Sequence, residues 1–80
     1  MPNARSVPPE IGKRIRALRE AQNLTQGALA AKTYVTQPAV SQWEKGRTIP
    51  GLGAQFLLAD VLHTTRSTLF RELVGEEAAA

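Results

Sequence analysis

The segment from Leu24 to Gly46, LTQGALAAKTYVTQPAVSQWEKG, carries two short helix signals with almost nothing between them. Thr25 is a side chain that can accept from the free N–H groups opening a helix, and Ala28 and Leu29 follow it as apolar positions. Thr36 repeats the arrangement ahead of Val40 and Trp43, which fall three apart and share one side of a second helix. Each helix therefore has one buried stripe. The connection is left with little more than Thr33, Tyr34 and Val35, a length suited to two helices that cross at a steep angle. Such a pair presents its second helix outward, and the outward residues are Gln37, Pro38, Ser41, Gln42 and Lys45. Trp43 shares the inner side of Val40 and reads as core.

The length of 80 residues sets the scale of what can surround this pair. Folding a chain of that size removes only roughly 60% of its unfolded surface from water, so one helical core is the limit. No cysteine is present, which excludes a disulfide framework and a thiolate zinc site. The longest apolar runs fall well short of the roughly 20 residues that cross a bilayer, and no signal-peptide core follows Met1. A cytoplasmic protein without a membrane partner is expected. Net charge is +3, and seven of the ten basic residues lie between Lys13 and Arg47, where only Glu20 and Glu44 oppose them. That local excess suits a polyanion, since neutralising phosphates releases counterions.

Residues 1–9 hold three prolines and few apolar groups, and are expected to form a flexible arm. The domain proper is expected over 10–74. Its first helix runs from Glu10 to about Gln22, with Ile11, Ile15 and Leu18 inward and Lys13, Arg14, Arg16 and Glu20 largely outward. The second and third span Gln26 to Lys32 and Gln37 to Lys45. After a stop and loop at Gly46 to Pro50, the stripe Leu52, Phe56, Ala59 and Leu62 marks a fourth amphipathic helix. A fifth runs from about Arg66 to Leu73, and residues 75–80 are expected to fray. The fold class is thus all-α, a compact five-helix domain.

An α-helix fits the major groove of B-DNA, and residues of its first turn reach base edges. Gln37 is in that turn, and its amide places a donor beside an acceptor, matching the N6 and N7 edge of adenine. Gln42 is the second candidate for base contact, Ser41 shares the face, and the Pro38 ring can rest against a thymine methyl without breaking an intrahelical bond.

From Ile11 to Leu69 the chain resembles the lambda-repressor/Cro-type helix-turn-helix family, also called the XRE family. The resemblance is carried by Ile11-Gly12-Lys13-Arg14-Ile15-Arg16-Ala17-Leu18-Arg19, Leu24-Thr25-Gln26, Leu29-Ala30, Val35, Val40-Ser41-Gln42-Trp43-Glu44-Lys45-Gly46, Pro50, and Leu58-Ala59 to Leu62. It implies a lambda-repressor-like fold and a base-contacting glutamine at Gln37. It also implies phosphate contacts from Gln26, Thr36, Lys45 and Arg47, and a partly buried Arg19–Glu44 pair that orients the recognition helix. Three positions depart from the pattern. Tyr34 stands where a turn glycine is usual, Gly27 replaces a helix former, and His63-Thr64 replaces glycine followed by a β-branched residue. A left-handed non-glycine residue costs on the order of 1 kcal/mol, so local strain is expected at Tyr34.

The function so implied is a sequence-specific transcriptional regulator, a small phage or bacterial repressor that binds a palindromic operator as a homodimer. A Cro-like repressor, a restriction-modification controller and an antitoxin-type autoregulator all fit the size. Leu69, Phe70, Leu73 and Val74 offer more apolar surface than one short terminal helix normally buries, and are expected at the dimer interface. With the chain ending soon after helix five, no sensing domain is expected, and control falls to concentration, degradation or a protein co-regulator. The alternative is a protein-interaction module on the same fold, against which the polar face of Gln37, Gln42 and Lys45 argues. An enzyme is not expected: His63 fits a helix C-terminus, and no metal spacing or Gly-rich phosphate loop appears. No cofactor, metal or small-molecule ligand is implied.

Overall fold

The structure, a computed structural model, describes residues 7–74. Five helices follow in order: α1 (Pro9–Ala21), α2 (Gln26–Lys32), α3 (Gln37–Glu44), α4 (Leu52–Val61) and α5 (Arg66–Leu69). Residues 71–74 add one further helical turn, and no strand occurs among the described residues. The expected arm at 1–9 and tail at 75–80 lie almost wholly outside the described residues.

The starts of these helices follow side-chain chemistry. Thr25 accepts from Ala28 N–H at 3.0 Å, Thr36 from Ala39 N–H at 3.4 Å and Thr65 from Thr68 N–H at 3.1 Å. Each satisfies a donor with no intrahelical partner. α1 opens one residue earlier than Glu10 because Pro9 takes the first helical position, where a missing N–H breaks no bond.

The ends follow one backbone device. Leu24, Val35, Arg47 and Thr64 each donate N–H to a carbonyl five residues back, at Arg19, Ala30, Gln42 and Ala59 respectively. This closure requires a left-handed residue just before the donor. Gly46 supplies it after α3 with φ of 76°, whereas Asn23, Tyr34 and His63 supply it after α1, α2 and α4 with φ between 59° and 61°. Tyr34 and His63 thus retain the left-handed turn with a side chain in place of the usual glycine. The expected strain is real and is offset by the carbonyls the turn satisfies. Gly27 falls in the first turn of α2, outside the helix interior where its cost would be full.

Ile11 and Ile15 of α1, Leu29 and Ala30 of α2, Val40 and Trp43 of α3, and Leu58 and Leu62 of α4 meet Leu69 and Phe70 in one core. Two expectations are corrected by it. Leu52 and Phe56 do not face inward: the buried stripe of α4 is Gln55, Leu58 and Ala59, with Leu62 just beyond. A polar residue stands at the inward position of the first turn, so the apolar pattern read from the sequence is rotated there. The second correction concerns the C-terminal segment. Leu69 and Phe70 are 0% exposed and Val74 5%, and Leu73 packs half-buried against the core, so these four close the monomer and offer little surface to a second copy. One long helix to Leu73 would not achieve this. The chain leaves helical geometry at Phe70 (φ −117°, ψ 38°), turning to bury both Phe70 and Val74.

Candidate nucleic-acid interface

α2 and α3 pack against each other, and α1 packs across α3. The contact with α1 is unusually close at Gly12. A Cβ there would collide with the carbonyl oxygen of Trp43 and lie 2.8 Å from that of Glu44. Only glycine allows this approach, and an isolated glycine within a helical pattern was the available signal for it.

With backbones this near, Arg19 reaches Glu44 through two parallel bonds. Its Nε donates to Oε2 at 2.7 Å and its second guanidinium nitrogen to Oε1 at 3.0 Å, while the third donates to the Leu24 carbonyl at 2.8 Å. The side chains are 10% and 4% exposed, and the bonds to Glu44 hold the Arg19 pKa above its ordinary value. The arrangement is a rigid charge-assisted fork spanning α1 and α3.

The fork continues outward. Gln26, the first residue of α2, donates from Nε2 to Glu44 Oε1 at 2.9 Å and accepts at Oε1 from Gln37 Nε2 at 2.6 Å. Arg19, Glu44, Gln26 and Gln37 thereby form one hydrogen-bonded chain from the interior to the tip of α3. Gln37 is left with one amide N–H and its carbonyl oxygen for an external partner, a donor beside an acceptor. The link between the glutamines was not read from the sequence, because their positions on separate helices give no spacing rule.

Around this tip Thr36, Gln37 and Pro38 are exposed, and Ser41 and Gln42 are half-buried farther along α3. Lys45 and Arg47 are exposed at its other end and enter no ion pair among the described residues. The basic stretch as a whole is less available than its composition suggests. Arg16 pairs with Glu20 at 3.1 Å, and Arg14, expected outward, pairs with Glu72 at 3.0 and 2.8 Å while donating to the Leu69 carbonyl at 2.7 Å. That pair ties α1 to the C-terminal turn, raising the Arg14 pKa and lowering that of Glu72, in both cases first through their hydrogen bonds.

A second unexpected brace lies under α4. Gln55 is 6% exposed, donates to the Pro50 carbonyl at 2.9 Å and accepts from Arg66 Nε at 2.8 Å. It fixes the loop after α3 against α5. No helix of the described residues is long and apolar enough to cross a membrane, and no cluster of metal-ligating side chains occurs among them.

Comparison with known proteins agrees with this geometry. The family model described as "Helix-turn-helix" matches residues 15–69, more than half of the chain. The chain belongs to the lambda-repressor/Cro-type helix-turn-helix family. Among solved structures it is similar to the P22 c2 repressor protein in complex with a synthetic operator, at 34% identity and a TM-score of 0.72, covering 74% of this chain and 89% of that one. It is also similar to the restriction-modification controller protein C.AhdI from Aeromonas hydrophila, at 30% identity and a TM-score of 0.70, covering 75% and 91%. A curated relative, the HTH-type transcriptional activator BcrR of Enterococcus faecalis, is 34% identical over 68 residues, which are 85% of this chain and 32% of that protein. The chain spans less than half the length of the curated relatives it matches. Within this helix-turn-helix family, α2 and α3 are the named pair, and the hydrogen-bonded chain from Arg19 to Gln37 is what holds their angle here.

Proposed function

We propose that this helix-turn-helix chain is a sequence-specific DNA-binding transcriptional regulator, placing α3 in the major groove of a palindromic operator as a homodimer. The observation that carries the reading is the tip of α3, where Gln37 is exposed, held by Gln26, and retains an unused donor and acceptor side by side. Gln37, Pro38, Ser41 and Gln42 face the bases in this reading. Gln26, Thr36, Lys45 and Arg47 face phosphates at the two ends, with helix N-terminal N–H groups pointing the same way. Arg19 and Glu44 touch no DNA and act by orienting α3.

Repression by occupancy in the cytoplasm of a bacterium or phage-infected cell is the regulatory mode proposed. Its support is similarity to solved chains of a repressor and of a restriction-modification controller, at 34% and 30% identity. A salt titration of binding to an operator recovered by selection tests the reading. Contacts to some six to eight phosphates per dimer give a slope of roughly −5 to −7 in log affinity against log salt. A shallow slope with no sequence preference would point instead to a protein partner.

A further inference from the structure

Three helix ends meet around one open cleft. Gln22 and Leu24 follow α1, Lys32 ends α2 with Tyr34 in the turn beyond it, and Val61 ends α4 with His63 in the turn beyond. Together they line a hollow of about 530 Å³. A cavity of about 150 Å³ is enough for a benzene ring, so this one has room for two fused rings. Leu24 and Val61 are half-buried and give the cleft an apolar side, whereas Lys32, Tyr34 and His63 are exposed, Tyr34 by 84%.

Two of these side chains stand where glycine would carry no steric cost. Tyr34 and His63 hold positive φ, at 61° and 59°. The turns they form satisfy the Ala30 and Ala59 carbonyls through the N–H groups of Val35 and Thr64, and glycine would close both turns equally well. Asn23, at the third helix end, is of a type that tolerates this conformation. Backbone strain of this kind gathers at ligand clamps, and here both strained residues fall in the lining of one cleft.

Charge narrows the occupant. No carboxylate lines the cleft among the described residues, and Lys32 enters no ion pair among them. The helix dipole accounts for a basic residue at the end of α2, but not for an exposed tyrosine in a left-handed turn beside it. A cation finds little here, because the Arg19, Ala30 and Ala59 carbonyls at the three ends already accept from Leu24, Val35 and Thr64.

We infer that this cleft binds a planar aromatic carboxylate of about two rings. The ring lies on the Tyr34 phenol and against Leu24 and Val61, the Lys32 ammonium meets the carboxylate, and the Gln22 amide and His63 imidazole supply further hydrogen bonds. One ammonium matches a single negative charge better than the nearly two of a phosphate monoester. The regulatory consequence rests on the operator-binding reading. Tyr34 precedes Gln37 by three residues, so their backbones are no more than about 11 Å apart. An anion held beside Tyr34 neutralises Lys32 and repels the phosphates that face α3, so the ligand weakens operator binding. The effect is roughly threefold at low salt and smaller at physiological salt, where charges are screened over about 8 Å.

Two measurements on the full chain test the assignment. In the first, without DNA, amide shifts are followed on titration with 2-naphthoate, with neutral 2-naphthylmethanol and with cationic 2-naphthylmethylamine. The carboxylate is expected to bind with a dissociation constant on the order of a millimolar, and the other two at least about threefold more weakly. Its shifts should centre on Gln22, Leu24, Lys32 to Val35 and Val61 to His63. Lys32→Gln is expected to reduce 2-naphthoate to the level of the neutral probe. Tyr34→Gly is expected to abolish the shifts while unfolding at no lower temperature than wild type. Equal binding of the three probes, shifts that do not saturate or centre elsewhere, unaltered binding in Lys32→Gln, or a less stable Tyr34→Gly chain each overturns the inference. In the second, affinity for a selected operator is measured at low, matched ionic strength with and without saturating 2-naphthoate. A threefold fall, absent with the neutral probe and in Tyr34→Gly, is expected; no change or a rise overturns the regulatory role. A wild-type chain that binds no DNA sinks the operator reading alone, because the titration without DNA decides the cleft by itself.

Discussion

α3 and α4 are helices of similar length that each turn one face to solvent, and the two faces have opposite chemistry. The outer face of α3 is amide and hydroxyl, with Lys45 and Arg47 exposed at its end, whereas that of α4 is leucine, phenylalanine and bare glycine backbone. Their supports differ as well. α3 is entered through a threonine cap and braced by Arg19, Glu44 and Gln26, while α4 is entered through Gly51 with no side-chain cap and held from beneath by Gln55. A reader of base edges must present its donors at one angle, so its orientation is fixed by directional, charge-assisted bonds. A surface that buries apolar area tolerates small shifts, because the hydrophobic effect has no preferred direction.

If this contrast is right, the two braces should not be equal. Glu44→Ala leaves the nearly buried Arg19 charge with only the exposed Glu20 carboxylate at 3.9 Å as counter-charge, and is expected to cost about 3 kcal/mol or more in urea unfolding. Gln55→Ala strands the neutral Pro50 carbonyl and is expected to cost about 1–3 kcal/mol. Equal losses would erase the distinction. Gly12→Ala sharpens it further by its sign. Helix propensity alone would make alanine stabilising by roughly 0.8–1 kcal/mol, but collision with the Trp43 and Glu44 carbonyls is expected to reverse this to a net loss of about 1–3 kcal/mol. A stabilised variant would mean that α1 can withdraw from α3 freely.

The faces themselves come next in magnitude. Gln37→Ala is expected to relax preference at one or two base positions by about 1–3 kcal/mol each, and Arg47→Ala to weaken all sequences alike. Equal effects of both on every sequence would contradict the division between base and phosphate contacts. The smallest effect lies far from either face. Hydrogen bonds from Arg14 lower the Glu72 pKa below its ordinary 4.5 in the folded chain. A carboxylate depressed on folding contributes stability above its unfolded pKa and loses it as pH falls through the folded value. Glu72→Gln is therefore expected to be less stable than wild type by about 1 kcal/mol or less near neutrality, with the gap closing below pH 4.5. A gap independent of pH would assign the effect to packing.

The same contrast explains what the sequence made legible. Helices α1 to α3 could be bounded nearly to the residue because their signals are local: Thr25 and Thr36 cap, Gly46 stops, and Ile11, Ile15, Val40 and Trp43 keep helical spacing. The α3 tip was readable for the same reason, since polar residues on the outward side of a short helix stand out against its buried stripe. Reading failed where burial runs against residue type. Gln55 is inward and Phe56 outward because a glutamine that satisfies a loop carbonyl and an arginine can take a core position, and that partnership spans three segments. The C-terminal apolar residues were misassigned because nothing local distinguishes a side chain that closes a core from one that meets a second copy. Arg14 looked like surface until Glu72, far away in sequence, came beside it.

The central claim is that the braced tip of α3 reads DNA bases, and selection from a random duplex pool, run in parallel with wild-type chain and Gln37→Ala, tests it most directly. A palindromic motif with half-site centres one helical turn apart is expected from wild type, with preference lost at symmetric positions in the variant. No enrichment, or the same motif from both proteins, would contradict it.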